Sequence, residues 1–402
     1  MIIGIIGGGA SGMAAALAAA ENQKAQVILF ERQARLGRKL QATGNGRCNL
    51  TNLHAGNRGY HGEDATFSAV ALESFNVTDT LAWFRQMGLF TVAEASGRVY
   101  PYSDQANSVV DVLRFALEKD NIRQELGFEV TKVRRVEGGF SVEGATGSIF
   151  CHKVIIACGG LAGTKLGGSM SGYQLLRSMG HKMTKLRPTL VQLKCNWSGS
   201  AALKGVRANS RVEILRDGNL FAQSAGEVQF TEYGLSGPVI FEVSRDVCYG
   251  GGEWICRLDL LPEVTVQELA LEFHRRRRTP LSTDELLTGI LHNRLGRVVA
   301  KTAGIPGGRP ISSLTDDHLQ AVCTAVKGLE ITLTEPMGMD SAQVTAGGMV
   351  TAEFVPATME SRLVPGLYAC GEVLDIDGDC GGYNLQWAWS SGRCAGLAAG
   401  KE

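Results

Sequence analysis

The spacing of apolar positions changes character along this chain. Residues Ile2 to Ile6 form a short apolar block, glycines 7–9 follow, and small residues run from Ala10 to Glu21 before a second block, Val27 to Phe30. Short apolar blocks bounded by turn residues predict buried strands, and the longer small-residue run predicts a helix between them. From about residue 190 the pattern alternates. "RVEILRDGNLFAQSAGEVQF" mixes apolar and polar positions around Asp217-Gly218, which is a hairpin signal. Strands are expected to about Leu261, helical segments from about Thr265 to Val326, and a return to the opening pattern near Val344. At the end, "VPGLYACGEVLDIDG" predicts a strand from Gly366 to Cys370, and "GGYNLQWAWSSG" leads into a helix from about Asn384 to Ala399.

The opening unit carries chemistry. Gly7, Gly9 and Gly12, with Ala10 and Ser11 between the last two, supply G-x-G-x-x-G between a strand and a helix, and Glu31 closes the second strand nineteen residues beyond Gly12. The first glycine allows the turn, the second lets a pyrophosphate approach the backbone, and the third brings helix and strand close. The helix N-terminus favours the phosphate charge, and the acid can accept hydrogen bonds from an adenosine ribose. NAD and FAD both suit such a unit. The far end decides for FAD, because a flavin needs a second strand-turn-helix whose N-terminus can face the ring. The final helix has small residues at Ser391, Gly392, Ala395, Gly396 and Ala399, and the first has Ala14, Ala15, Ala18 and Ala19, so each can pack closely. Trp387 and Trp389 are expected to anchor the last helix in a core, leaving Tyr383 for ring or substrate contact.

Composition narrows the class. With 402 residues, 44% of them hydrophobic, the chain has material for two or three domains. Lysine plus arginine and aspartate plus glutamate number 40 each, so no global field draws it to nucleic acid or membrane. Ten cysteines contain no C-x-x-C pair, which argues against a zinc site, a dithiol motif or a disulfide framework and predicts reduced thiols in a cytoplasm. Residues 1–20 are uncharged, but no basic segment precedes them and glycines interrupt them, so neither a signal peptide nor a membrane span is expected. No metal site is expected, and oligomeric state is not encoded in any motif.

Several longer motifs then carry a resemblance over essentially the whole chain: "GRKLQATGNGRCNLTN" (37–52), "GRVYP" (97–101), "FTEYGLSGP" (230–238), "VTAGGMV" (344–350), "TMESRLVPGLYACGEVLDIDG" (358–378) and "GGYNLQWAWSSG" (381–392). With these the chain resembles the HI0933-like flavoproteins, relatives of the glutathione-reductase type. One departure is visible: where that family has Gly-Asp-Gly-Tyr, this chain has "MSGYQ" (170–174), without the acid. The resemblance implies an α/β architecture, a Rossmann-like, glutathione-reductase-type FAD-binding domain with an inserted β-rich domain and a helical cap. Its pieces would be 1–189 and 343–402 for the FAD domain, 190–262 and 327–342 for the β-rich insert, and 263–326 for the cap. It implies non-covalent FAD held by Gly7, Gly9, Ala10, Ser11, Gly12, Glu31, Arg32, Gly37, Arg38 and Lys39. Further contacts would come from Asn45, Gly46, Arg47 and Cys48, from Val130 by its backbone to adenine, from Gly159, and from Gly371, Glu372, Asn384 and Leu385.

The same resemblance implies three activities: reduction of conjugated C=C bonds in steroid-like bile acids, reduction of a uracil in ribosomal RNA to dihydrouridine, and amine oxidation of aminoacetone type. The first two share a chemistry in which a hydride reaches the β-carbon of an unsaturated carbonyl, donors polarise the oxygen, and an acid protonates the α-carbon. C=C reduction is the leading expectation, with amine oxidation or a flavin-bearing RNA- or protein-binding module as alternatives. Only one dinucleotide fingerprint is present, so a nicotinamide must dock transiently or another donor serves; NAD(P)H is expected as the transient electron donor. Partners are then a small-molecule substrate or rRNA. Cys48, Asn49 and Tyr383 are candidates for catalysis, and Arg98, Tyr100, Cys380 and Tyr383 for substrate contact, with Arg47 also a possible donor. His181, after a glycine, is expected to cap a helix end. "HRRRR" (274–278), with Arg294, Arg297 and Lys301 nearby, is either a solvated helix end or a phosphate-contacting patch, and the solvated reading is preferred.

Overall fold

A computed structural model describes residues 1–56 and 58–401. The chain divides into two compact units, Met1–Arg187 with Gln343–Glu402, and Pro188–Ala342. In the first unit five parallel strands lie in the order Leu367–Ala369, Lys153–Ile156, Ile2–Ile6, Gln26–Glu31 and Ile122–Leu126. The strand opening the glycine motif sits at the centre, so Gly7 emerges at the carboxyl edge of the sheet, where open α/β sheets bind ligands. Its neighbours are apolar on both faces, as parallel strands covered by helices require.

The first helix, Ala10–Ala19, lies against the last, Tyr383–Gly400. A Cβ added at Gly392 would come 2.3 Å from the Ser11 carbonyl oxygen, and one at Gly396 would come 2.3 Å from that of Ala15. The small residues of both helices therefore serve a backbone-to-backbone contact. Trp387 and Trp389 are buried in the same core, as expected from the sequence, and each indole N–H finds a carbonyl: Gly371 at 3.2 Å and Leu50 at 2.9 Å.

The second unit is a closed six-stranded barrel, in the order Leu193–Cys195, Gly234–Ser236, Asn219–Phe230, Arg207–Arg216, Trp254–Asp259 and Leu329–Pro336. The hairpin turns at Asp217 and Gly218, whose φ values of 49° and 78° suit the strand twist. Helices Val266–Arg276, Asn293–Thr302 and Asp316–Lys327 share the barrel's core through Phe273, Val299 and Val322. The uninterrupted strands expected up to Leu261 are broken by a helix, Pro238–Val247. Gly237-Pro238 was its signal: proline pre-sets φ at the first helical position, where its missing N–H costs nothing. Among the described residues no helix is long and apolar enough to cross a membrane.

Candidate active site

Three glycines of the opening loop occupy two different environments. A Cβ at Gly12 would lie 1.8 Å from the Gly7 carbonyl oxygen, and one at Gly7 would lie 2.4 Å from that of Ala157. Both positions are closed by backbone. Gly9 is the opposite case, with nothing within 4 Å of its Cβ direction. It is the N-cap of the first helix and offers no side-chain cap, so the first-turn N–H groups look out onto that space. Gly159 is likewise open, at φ 70°. An open cradle over an uncapped helix N-terminus is what a pyrophosphate requires.

Charged groups around the cradle are already organised. Glu31 accepts from the Gly8 N–H at 2.7 Å and from the Gln33 N–H at 2.8 Å. Arg38 donates to Gln33 Oε1 at 2.9 Å, and Arg32 donates to the Gly167 carbonyl at 2.5 Å. Lys39 Nζ lies 2.9 Å from Glu372 Oε2, while Glu372 Oε1 accepts from the Thr345 N–H at 2.8 Å. Gly160 runs beside this pair: a Cβ there would come 2.4 Å from Glu372 Oε1. The sequence did not single out Thr345, which has no signal beyond its place in "VTAGGMV". Val130 opens a strand, Val130–Val136, and is buried.

In the loop 43–49, Gly44, Asn45, Gly46 and Cys48 all have positive φ, which turns successive backbone groups outward. Cys48 is fully buried, and burial pushes its thiol up to about 12 against a hydrogen bond with Thr43. It stays protonated and shapes the loop. Asn49 Oδ1 is buried without a partner among the described residues. Arg47 stacks 4.0 Å over the Tyr100 ring and pairs with Asp104 and with Glu94, the latter at 3.1 Å. Tyr100 is itself buried.

The last helix begins at Tyr383, after two glycines of positive φ. A Cβ at Gly382 would strike the Thr51 carbonyl at 2.4 Å, and one at Gly381 would reach Arg98 Nε at 2.9 Å. Arg98, Cys380 and Tyr383 are therefore brought together around one turn, and all three are half-buried. Tyr383 packs edge-on against Tyr60, whose hydroxyl donates to the Tyr383 carbonyl at 3.1 Å. Asn384 brackets Gly378, accepting from its N–H at 2.8 Å and donating to its carbonyl at 2.7 Å. Its side chain thus braces the turn, and Leu385 packs on the core. Behind them Gln386, which the sequence reading passed over, accepts from Thr51 Oγ1 at 2.6 Å and donates to Thr80 Oγ1 at 2.8 Å and Ser390 Oγ at 3.0 Å. Its only signal was an amide two residues after Asn384 in a largely apolar helix.

His181 fills its expected role and a second one. Its backbone does cap the helix Ser171–Ser178, donating to the Leu176 carbonyl at 3.2 Å after Gly180 at φ 96°, but its ring does something else: it is buried against Phe354, between Glu353 and Ser361. Those partners lie about 170–180 residues away, beyond any local pattern.

The chain matches the HI0933-like protein Rossmann domain over residues 1–398. It belongs to the HI0933-like family. Members are flavin-dependent oxidoreductases, and the fold described above is that of this class. The chain is 42% identical over 407 residues to a 3-dehydro-bile acid delta(4,6)-reductase of Clostridium scindens, covering 100% of this chain and 99% of that protein. It is 32% identical over 390 residues to a ribosomal RNA dihydrouridine synthase of Escherichia coli, covering 96% and 95%. Among solved structures, a 3-ketosteroid delta1-dehydrogenase of Sterolibacterium denitrificans aligns with a TM-score of 0.53 at 11% identity, over 99% of each chain. That likeness concerns the fold. For an HI0933-like protein the open cradle at Gly9 and Gly159, the uncapped helix and the Glu31 acceptor fit a dinucleotide cofactor.

Proposed function

We propose that this chain is an FAD-dependent reductase of conjugated C=C bonds, taking a ring enone of steroid type as substrate and NAD(P)H as a transient electron donor. The end-to-end likeness to a bile-acid delta(4,6)-reductase carries this reading. The first glycine loop, with Glu31, would hold the pyrophosphate and adenosine, and Glu372 with its Lys39 partner would hold the central part of the cofactor. FAD, once bound and reduced by NAD(P)H, would supply a two-electron hydride donor. Arg98 and Tyr383, half-buried on either side of the Gly381-Gly382 turn, are the groups of this chain that would meet the substrate's carbonyl oxygen. Donors at that oxygen stabilise the charge that develops as the double bond is reduced. Ten free cysteines, with no disulfide among them, support a cytoplasmic setting.

An RNA substrate has weaker support, because three of the four arginines in the run that would serve as a phosphate patch are already paired. Arg275 and Arg276 both bind Glu272, at 2.8 and 2.7 Å, and Arg277 binds Asp316 at 2.6 Å. The test is anaerobic reduction of the FAD-loaded protein by NADH or NADPH, followed by reoxidation with a ring enone, uracil-containing RNA, or oxygen. Rapid reoxidation by the enone is expected. Reoxidation by RNA alone overturns the substrate class, and reduction by an aminoacetone-type amine with reoxidation by oxygen points to the amine oxidase.

A further inference from the structure

A serine, a histidine and a glutamate form a buried series in the Rossmann unit, outside the glycine cradle. His181 Nδ1 lies 2.9 Å from Glu353 Oε2, and Nε2 lies 2.9 Å from Ser361 Oγ, with the imidazole side chain 0% exposed. The order is that of a hydrolase triad. Ser361 is nevertheless no nucleophile, because it is buried and its oxygen accepts from the backbone N–H groups of Leu363 at 3.0 Å and Val364 at 2.9 Å.

That occupancy fixes the protons. A hydroxyl has two acceptor lone pairs and one hydrogen. With both lone pairs engaged by N–H donors, Ser361 must donate its hydrogen to His181 Nε2. The ring is then neutral, with its single N–H on Nδ1 donating to Glu353. Glu353 Oε2 also accepts from the Lys182 backbone N–H at 3.0 Å, and Phe354 stacks on the imidazole with centroids 4.6 Å apart.

The series holds a segment that leads to the candidate active site. Ser361 N–H donates to the Leu367 carbonyl at 2.8 Å, and Ala369 N–H donates to that of Met359 at 3.1 Å. Residues 353–364 are thereby laid against the strand Leu367–Ala369, which runs directly into Gly371 and Glu372. We propose that His181 is a positioning residue with a built-in acid response. Its neutral ring latches this segment onto the strand presenting Gly371 and Glu372, and a second ring proton releases the latch and, with it, bound FAD.

A proton on Nε2 would aim an N–H at an oxygen with no lone pair left, so Ser361 would have to drop Leu363 or Val364. The charged groups around the ring are few. Glu353 touches it from the turn Thr351–Glu353, and Lys182 follows it in sequence. Arg362 donates to the Phe354 carbonyl at 3.1 Å, and Glu360 accepts from the Gly366 N–H at 2.9 Å. Burial lowers the His181 pKa from its ordinary value, and Glu353 opposes that in part. The unfolded chain therefore binds this proton more readily than the folded one. The contribution of His181 is fully present above about pH 6.5 and is lost as pH falls toward its depressed value.

The test uses the full FAD-loaded chain, titrated from pH 8 to 5, with flavin fluorescence, the melting midpoint and nitrogen-detected NMR of the His181 ring. An Nδ1–H ring is expected at neutral pH, with FAD affinity falling by up to about tenfold per pH unit once the pH drops below the lowered pKa of the folded-state ring. His181→Gln can donate to Glu353 and accept from Ser361 without titrating, so its affinity and melting midpoint should be flat over the same window. Should that variant fail to fold, the wild-type ring signals set against FAD release decide the matter. An Nε2–H ring at neutral pH, FAD retained after the ring has charged, or an unchanged acid profile in His181→Gln overturns the proposal. It presupposes that FAD binds. If the purified chain takes up no FAD, the cofactor reading fails, while the ring tautomer and the pH dependence of melting still test the latch.

Discussion

The glycine loop at 7–12 and the arginine run at 275–278 both stand out in the sequence as chemistry, and the fold treats them in opposite ways. Beside Gly9 nothing fills the space within 4 Å, and the helix that starts there has no side-chain cap. Its donors remain available. In the arginine run, Glu272 takes Arg275 and Arg276, whose hydrogen bonds hold its carboxyl down to about 2. Arg276 also donates to the carbonyls of Leu286 at 3.0 Å and Thr288 at 2.8 Å. A donor satisfied within its own unit must break those bonds before it can bind anything else, whereas an unsatisfied one need not. Conspicuous composition therefore says less about a site than whether the fold leaves the groups free.

The largest effects should come from the loop, where its two kinds of glycine can be separated. Gly12→Ala puts a Cβ into the Gly7 carbonyl, and a clash with backbone in a packed core should cost about 3 kcal/mol or more. A melting curve should show loss of the folded protein with or without FAD. Gly9→Val meets open space in an extended conformation, so it should melt close to the ligand-free parent yet fail to retain FAD. If Gly9→Val kept the yellow cofactor through gel filtration, the phosphate would have to lie elsewhere. Glu31→Ala removes an acceptor shared by Gly8 and Gln33, and should weaken FAD binding by about 1–3 kcal/mol in a fluorescence titration. Tyr60→Phe loses one hydrogen bond to the Tyr383 carbonyl and should lower the melting midpoint by the equivalent of about 0.5–1.5 kcal/mol. Smallest of all, Arg275→Ser breaks one exposed ion pair with Glu272 and should leave the melting midpoint close to the parent's. Enone turnover should be unchanged. A large loss of RNA turnover in that variant, with a shallower salt dependence, would reverse the comparison.

Much of both units was legible because the determinants are local. Gly7, Gly9 and Gly12 lie between a strand and a helix in the order the chain is made, and Asp217-Gly218 specifies its hairpin within two residues. The candidate site was legible in outline only. Arg98 and Tyr383 were singled out from motifs, yet nothing in their spacing says that Gly381 would set them around one turn. Cys48 and Asn49 looked like reactive groups in a loop, and the fold buries the thiol and the amide oxygen of that pair. The helix Pro238–Val247 was missed because its apolar residues were read as a continuing strand, although the glycine and proline before it marked its start.

Sequence by itself therefore determined most of the elements, the parallel-strand character of the opening unit, the family, and the position of the glycine motif. These follow from short-range sterics and from periodicity, which act over a few residues. Only the tertiary structure decided which groups remain available. Lys39 meets Glu372 across 333 residues, and Ser361 meets His181 across 180. Whether a polar atom ends up open, paired or sealed depends on neighbours brought in from distant parts of the chain, and no local pattern encodes that outcome.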